Sequence, residues 1–138
     1  MRVVFDTNVW LSALFWKGEA ASLVRLAERG RVGVFVSEDL LAGLVEVLQK
    51  EAKFQQFLGE RKLEIEGVVR AVLDLADLVD VRRRVCVVED DPDDDRVLEV
   101  AVASGAKYVV SYDRHLLSLE KFDGIEMVHP KAFLERLS

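Results

Sequence analysis

Residues 91–117, DPDDDRVLEVAVASGAKYVVSYDRHLL, contain the signals that decide the fold of this chain. The apolar stretch after the aspartates predicts a helix over residues 92–104, which ends at Gly105, as helices commonly end at glycine. The apolar run 107–111 then predicts a buried strand, and Asp113 follows it closely. A helix that leads into a buried strand is typical of α/β proteins, so this stretch predicts a parallel sheet covered by helices.

The same alternation of short strands and helices runs through the rest of the chain. It predicts an α/β fold of three layers, α/β/α, with a central parallel sheet of four to five strands, formed by residues 1–138 as a single domain. In such sheets, functional residues gather beyond the carboxyl ends of the strands, which places Asp6, the acids at 91–95 and Asp113 at one edge. The predicted strands are 2–5, 32–36, 107–111 and 125–128, with 85–88 as a strand or an extended segment; the predicted helices are 9–16 (capped by Thr7 or Asn8), 19–29, one capped by Ser37, 60–78, 92–104 and one that begins at Pro130.

Composition narrows the class of protein. The chain has 138 residues, of which 51% are hydrophobic and 32% charged, a balance that is ordinary for a soluble domain. It has one cysteine, Cys86, so no internal disulfide can form and a reducing cytoplasm is the expected location. We expect neither a signal peptide nor a membrane span. The net charge of −6 argues only weakly against nucleic-acid binding, because the six acids of residues 89–95 account for all of it.

The acidic run from Glu89 to Asp95 needs a physical explanation. At an effective dielectric constant of ~20, two carboxylates ~4 Å apart repel each other by about 4 kcal/mol. Helix capping explains one or two of these acids, because each acid near a helix N-terminus contributes only about 0.3–1 kcal/mol. A calcium loop that starts at Asp91 is excluded, because Arg96 stands where glycine is needed and Val102 where glutamate is needed.

A divalent metal site would offset the repulsion that capping leaves. Hard cations such as Mg²⁺ and Mn²⁺ take carboxylate oxygens as ligands, and no set of histidines and cysteines in the sequence competes for this role. Two such ions, ~3.5–4 Å apart, can activate water and stabilise the leaving oxygen of a phosphodiester. The sequence therefore predicts a metal centre shared by Asp6, Asp113 and the 91–95 cluster.

Four motifs together resemble the PIN-domain family and span nearly the whole chain in the expected order. Many members of this family are metal-dependent ribonucleases and toxins of bacterial or archaeal toxin–antitoxin pairs. DTN at residues 6–8 would be weak evidence alone, whereas its combination with DPDDD at 91–95 and an aspartate after a strand is specific. The motifs are VVFDTNVWLSAL (3–14), SEDLLAGLVEVL (37–48), the 91–117 segment and IEMVHPKAFL (125–134).

This resemblance implies the role of each site residue. Asp6 is implied as the first metal ligand, with Asn8 as its nearby polar support. The family's later ligand lies three residues after a helix cap and seven before an alanine, which implies Asp94. Asp113 is the remaining ligand, and Ser111 stands where the family has a threonine or serine before it. The neighbours Asp93 and Asp95 are candidates to bind outer waters, Asp95 also being a candidate ligand.

The chain departs from the family on the middle helix, where Gly43 occupies the position of the usual glutamate. Glu46 comes one turn later, but its helical angle is almost opposite the apolar stripe of that helix. A ligand role and a solvated surface position therefore both stay open for Glu46. Beyond Asp113, Arg114 is a candidate to contact RNA phosphates, whereas a structural or solvated role is favoured for His115.

Three functions compete on this basis. The first is a Mg²⁺- or Mn²⁺-dependent endoribonuclease that cuts single-stranded RNA and is the toxin of a toxin–antitoxin pair, with an antitoxin protein and a second copy of the chain (a homodimer) as expected partners. The second is a Mg²⁺-dependent phosphomonoesterase with Asp6 as nucleophile, although Asn8 stands where that class has a second aspartate. The third is a PIN-like binding module whose catalytic site is weakened, beginning at Gly43.

Overall fold

The computed structural model describes residues 1–88 and 92–137, and the side chains of residues 92 and 93 lie outside that description. The strands of this part of the chain are β1 (Arg2–Phe5), β2 (Gly33–Val36), β3 (Ala76–Leu78), β4 (Tyr108–Val110), β5 (Lys121–Phe122) and β6 (Ile125–Val128). Its helices are α1 (Thr7–Phe15), α2 (Glu19–Glu28), α3 (Glu38–Lys50), α4 (Ala52–Glu60), α5 (Ile65–Leu75), α6 (Pro92–Ser104), α7 (Arg114–Leu117) and α8 (Pro130–Leu137).

The strands join one sheet in the order β3-β2-β1-β4-β6-β5. Five of them are parallel, and the two-residue β5 runs antiparallel beside β6. Phe5 of β1 pairs with Val110 of β4, so these two neighbouring strands end level with each other. In the sheet, β2 lies on one side of β1 and β4 lies on the other, so the connections on the two sides of β1 run in opposite directions. This reversal leaves a crevice at the carboxyl ends of β1 and β4.

Helices cover both faces of the central strands. Val3, Val4 and Phe5 of β1 point alternately to the two faces, yet all three are fully buried, as in parallel sheets with helices on both sides. Helix α6 packs against β1, β2 and β4, and it brings the acids of its first turn to the edge where these strands end. The predicted α/β fold, with a mostly parallel sheet flanked by helices, is confirmed.

Most local predictions hold because short-range signals determine them. Ser37 caps α3, and its hydroxyl oxygen accepts a hydrogen bond from the backbone N–H of Leu40 at 3.1 Å. Gly105 has a φ of +69°, the left-handed conformation in which glycine ends a helix without strain. The predicted cap of α1 is wrong by one or two residues, because Asp6 is the cap and its carboxylate accepts from the N–H of Thr7. The predicted capping acid of α6, Asp91, lies outside the described residues.

The helix predicted over residues 60–78 is wrong at both ends. Helix α4 precedes it and was not predicted, although Phe54 and Leu58 are buried four residues apart. Lys62, with a φ of +53°, separates α4 from α5, and Leu63 is exposed. Beyond α5 the apolar periodicity continues, but Ala76 pairs with Val34 of β2, so residues 76–78 extend the sheet as β3.

Two further expectations concern the remaining segments. Residues 85–88 do not form a strand, so the first of the two predicted alternatives is wrong. None of the helices described here combines the length and the apolar character that crossing a bilayer requires.

Candidate metal centre

Three aspartates from distant parts of the sequence line one cleft of about 150 Å³ at the carboxyl edge of the sheet. Asp6 follows β1 directly, and its backbone N–H donates to the carbonyl of Val110 in β4 at 3.0 Å. Asp113 follows β4, and Asp94 comes from the first turn of α6. The three aspartates that the resemblance implied as ligands therefore line the same cleft. Thr7, Asn8, Asp39, Gly43 and Arg96 also line this cleft.

Asp6 is held by hydrogen bonds to both of its carboxylate oxygens. Its Oδ1 accepts from the N–H of Thr7 at 2.7 Å, the capping bond of α1. Its Oδ2 accepts from the hydroxyl of Ser111 at 2.7 Å. The residue is 6% exposed, so the carboxylate is buried in a defined orientation. Hydrogen bonds to a buried carboxylate stabilise its charged form, which is the form that binds a cation.

Ser111 connects two of the three aspartates. The serine is fully buried; its hydroxyl donates to Asp6, and the same oxygen accepts from the backbone N–H of Asp113 at 2.9 Å. Asp113 in turn caps α7, because its Oδ1 accepts from the N–H of His115 at 2.7 Å. One buried hydroxyl thus sets the relative position of the acids that follow β1 and β4.

Asp94 is the most buried of the three acids, at 3% exposure. One carboxylate oxygen of Asp94 lies close to one carboxylate oxygen of Asp113 and one ring nitrogen of His115. These three atoms are all within 4.8 Å of one another. The position of Asp94 follows from the packing of α6 on the sheet, since the neighbouring Val97 and Leu98 are buried in the core.

Asp95, the other candidate in this turn, makes a different set of contacts. Its Oδ1 accepts from the backbone N–H groups of Val87 at 2.9 Å and Val88 at 2.8 Å. The carboxylate therefore holds the backbone of residues 87 and 88 against α6. Asp95 is not among the described residues that line the cleft, and the side chain of Asp93 lies outside the description.

Gly43 and Glu46 lie on different sides of α3. Gly43 lines the cleft, and a Cβ built on it would have nothing within 4 Å, so space is open there for a side chain. Glu46 is exposed, with its carboxylate 2.8 Å from the ammonium of Lys50, which lowers the pKa of Glu46 by hydrogen bonding and charge. The structure thus brings position 43 to the three aspartates and leaves Glu46 in an ion pair on the surface.

Sequence reasoning missed a charged network behind the cleft. Glu99 is buried, with a side chain only 1% exposed, and its Oε1 is 2.8 Å from Nε of Arg96 and 3.0 Å from Nη1 of Arg84. Arg84 also reaches Asp39 at 2.6 Å, and hydrogen bonds to both acids raise the pKa of Arg84. The one available sequence signal was the i, i+3 spacing of Arg96 and Glu99 on a predicted helix.

This network places a fixed positive charge in an otherwise acidic cleft. Arg96 lines the cleft, and its guanidinium is anchored by Glu99 and by a hydrogen bond to the carbonyl of Val85 at 3.2 Å. A guanidinium in such a position can bind a phosphate oxygen. The other predicted polar contacts are exposed: Asn8 lines the cleft, and Arg114 is the first residue of α7, next to Asp113.

The donors in the cleft fit a divalent cation. Three aspartates from separate parts of the chain line it, two of them with buried side chains, and a dication would balance charges that otherwise repel one another. The residues present therefore suit Mg²⁺ or Mn²⁺, with hard oxygen ligands and room for water.

Comparison with known proteins identifies what the chain is similar to. A family model described as PIN domain matches residues 2–115. A comparison with curated proteins found no match. Among solved structures, one described as the crystal structure of VapBC2 from Rickettsia felis bound to a DNA fragment from their promoter matches with a TM-score of 0.64. The two chains share 14% identity over 94% of this chain and 98% of the other, so the likeness is one of fold.

Proposed function

Because this chain belongs to the PIN-domain family, we propose that it is a metal-dependent endoribonuclease that hydrolyses phosphodiester bonds of single-stranded RNA. The observation that carries the proposal is the convergence of Asp6, Asp94 and Asp113 on one cleft at the carboxyl edge of the sheet. RNA as the substrate follows from the resemblance to the ribonucleases of this family.

The proposed ligands of the cation are Asp6, Asp94 and Asp113. Bound there, Mg²⁺ or Mn²⁺ would lower the pKa of a water and stabilise the negative charge of the phosphate. The contribution of the protein is position: the hydroxyl of Ser111 orients the carboxylate of Asp6 and the backbone of Asp113 before any substrate arrives. Such preorganisation avoids reorganising the ligands during the reaction.

Two arginines are proposed to hold the RNA backbone. Arg96 lies in the cleft and is anchored by the buried Glu99, so its guanidinium is fixed where a phosphate oxygen would enter. Arg114 is exposed beside Asp113 and is proposed to contact a neighbouring phosphate. Asn8, also exposed at the cleft, is proposed to support the first ligand by hydrogen bonding.

The proposal includes two protein partners. The chain resembles toxins of toxin–antitoxin pairs, and a structure similar in fold is described as VapBC2 bound to a DNA fragment from their promoter. We therefore propose an antitoxin protein as a partner, together with a homodimer of this chain. Sedimentation of the purified chain tests the dimer, and a monomer at micromolar concentration would contradict it.

The test of the proposed function compares two reactions under the same conditions. An unstructured single-stranded RNA labelled at its 5′ end and p-nitrophenyl phosphate are each incubated with the protein in EDTA, in Mg²⁺ and in Mn²⁺. We expect RNA fragments that appear only with a divalent cation and no release of p-nitrophenol. A DNA strand of the same sequence, tested in parallel, measures the preference for RNA.

Each alternative function gives a different result in this test. Release of p-nitrophenol that is lost in Asp6→Asn, without cleavage of RNA, would favour a phosphomonoesterase with Asp6 as nucleophile. Retention of RNA in a filter-binding assay, with no cleavage in either metal, would favour a binding module with a weakened site. Cleavage that persists in Asp94→Asn at the wild-type rate would contradict the proposed centre.

A further inference from the structure

We propose that His115 is a nitrogen ligand of the metal centre, so that the site binds transition-metal dications such as Mn²⁺ and Co²⁺ in preference to Mg²⁺. This inference rests on the proposed function, since it concerns the same centre. It adds a ligand that the carboxylate motif does not contain and a metal preference that follows from it.

The distances between side chains support this assignment. One carboxylate oxygen of Asp94, one of Asp113 and one ring nitrogen of His115 all lie within 4.8 Å of one another, and Nδ1 of His115 is 3.7 Å from Oδ1 of Asp113. Ligands about 2.1 Å from one ion are about 3 Å apart when adjacent and about 4.2 Å apart when opposite. Separations of at most 4.8 Å exceed the adjacent spacing by less than about 2 Å, a difference that rotation of the three side chains can close.

The backbone holds His115 beside the acids while its ring can still turn. The N–H of His115 donates to Oδ1 of Asp113 at 2.7 Å, and the next residue, Leu116, is fully buried in the core. The imidazole side chain is 57% exposed, so a small rotation toward the cleft displaces little packed structure. Neighbouring residues therefore fix the backbone of His115, and solvent surrounds much of its imidazole ring.

The chemistry of the donor set gives the metal preference. The cleft wall contains Gly43 where the family has a carboxylate, so the proposed ligand set has three carboxylates before the imidazole is counted. Mg²⁺ strongly favours oxygen ligands, whereas imidazole suits transition metals, whose affinity for a mixed nitrogen and oxygen site rises from Mn²⁺ to Co²⁺. Replacing a charged carboxylate by a neutral imidazole therefore weakens Mg²⁺ binding more than Mn²⁺ or Co²⁺ binding.

The chain contains a matched control. Its two histidines are His115 and His129, and His129 serves a different purpose: its Nδ1 accepts from the N–H of Lys131 at 3.1 Å at the start of α8. Its ring also packs edge-on against Tyr112, with centroids 5.1 Å apart. His129→Asn preserves a capping acceptor while removing the imidazole, so it tests any effect of losing a histidine elsewhere.

The experiment measures the metal directly and does not depend on RNA cleavage. Metal-free protein is titrated calorimetrically with Mn²⁺, Co²⁺ and Mg²⁺, and the Mn²⁺ form is examined by pulsed electron paramagnetic resonance for coupling to ¹⁴N. We expect ¹⁴N coupling in the wild type and in His129→Asn, and its loss in His115→Ala. We also expect His115→Ala to weaken Mn²⁺ and Co²⁺ binding at least about tenfold, with Mg²⁺ binding changed about twofold or less.

Two outcomes would overturn the proposal, and they differ in meaning. Mn²⁺ that binds the wild type but not Asp94→Asn, with no ¹⁴N coupling, would show that His115 is not a ligand while leaving the proposed nuclease intact. The absence of any Asp94-dependent binding of a dication would overturn both. His115 is exposed, so an unchanged melting temperature of metal-free His115→Ala is expected, and it shows that any loss of binding is local.

Discussion

The hydroxyl of Ser111 lies 2.7 Å from Oδ2 of Asp6 and joins two residues that are 105 positions apart in the sequence. The bond crosses from the end of β1 to the end of β4, the two central strands of the sheet. The same hydroxyl oxygen accepts from the N–H of Asp113. A contact between one serine and one aspartate therefore sets the spacing of the acids in the candidate metal centre.

Ser111→Ala removes both hydrogen bonds while filling nearly the same space. We expect Mn²⁺ affinity and RNA cleavage to fall about 10–100-fold, as is typical when a group that orients a metal ligand is lost. The variant should also lose about 1–3 kcal/mol of stability, because buried polar groups of its partners lose a hydrogen bond. Calorimetric titration and a denaturant melt measure the two effects.

Ser104→Ala is the control for this substitution. Ser104 is likewise buried, but its hydroxyl contacts the carbonyl of Ala101 within α6 at 3.4 Å. We expect its metal affinity to equal that of the wild type. Equal affinity in Ser111→Ala and Ser104→Ala would show that the bridge between Asp6 and Asp113 has no role in binding.

Asp94 and Asp95 should behave differently although they are adjacent and both buried. Asp94→Asn is expected to abolish metal-dependent cleavage with little loss of stability, because it lowers repulsion among the acids. Asp95→Ala is expected to lose at least about 2 kcal/mol of stability, because the N–H groups of Val87 and Val88 lose their charged acceptor. Urea melts and cleavage rates of the two variants separate these effects. If Asp94→Asn lost stability together with activity, the assignment would be contradicted.

Gly43→Glu should place a carboxylate on the wall of the cleft. A side chain at position 43 meets open space, and replacing a helical glycine improves helix propensity by roughly 0.5 kcal/mol. We expect Mg²⁺ and Mn²⁺ to bind more tightly and RNA cleavage to increase. Gly43→Gln, which has the same shape without the charge, should show the gain in stability alone.

Glu46→Gln tests the other acid of the same helix. Glu46 pairs with Lys50 on the surface, so its loss should change metal affinity less than about twofold and stability by less than about 0.5 kcal/mol. A large loss of activity in Glu46→Gln, combined with no gain in Gly43→Glu, would mean that Glu46 reaches the metal.

Glu99→Gln should weaken both the fold and the position of Arg96. The buried carboxylate of Glu99 faces Arg84 and Arg96, and removing its charge should cost roughly 2–3 kcal/mol, less than the largest values for buried pairs because Arg84 reaches solvent. We expect KM for RNA to rise, since the guanidinium in the cleft loses its anchor. Glu66→Gln, which removes a surface pair with Arg70, should leave both KM and stability unchanged.

Metal should stabilise the folded protein in proportion to its occupancy. A dication that binds only the native site at a hundred times its Kd adds roughly 2.7 kcal/mol, which corresponds to a rise in Tm of roughly 5–10 °C for a chain of this size. We expect this rise with Mn²⁺ in the wild type and a flat response in Asp6→Asn, measured by differential scanning calorimetry. A rise of the same size in both proteins would indicate a metal site elsewhere.

The sequence by itself determined the elements whose signals are local. The apolar run of β1, the cap at Ser37 and the turn at Gly105 depend on neighbours within a few residues, so they could be predicted and were confirmed. The alternation of these elements also determined the α/β class, because parallel strands need helical crossovers. Acids that follow β1 and β4 were placed at one edge for the same reason.

Only the tertiary structure decided which neighbours those acids have. Residues 76–78 continue a helical pattern but become β3, because pairing with β2 outweighs their periodicity. The bridge from Ser111 to Asp6, the burial of Glu99 between two arginines and the approach of His115 to Asp94 all join residues on different elements or turns. Such contacts depend on how helices dock on the sheet, since a shift of one turn in α6 would leave the sequence pattern intact and move Asp94 away from Asp6 and Asp113.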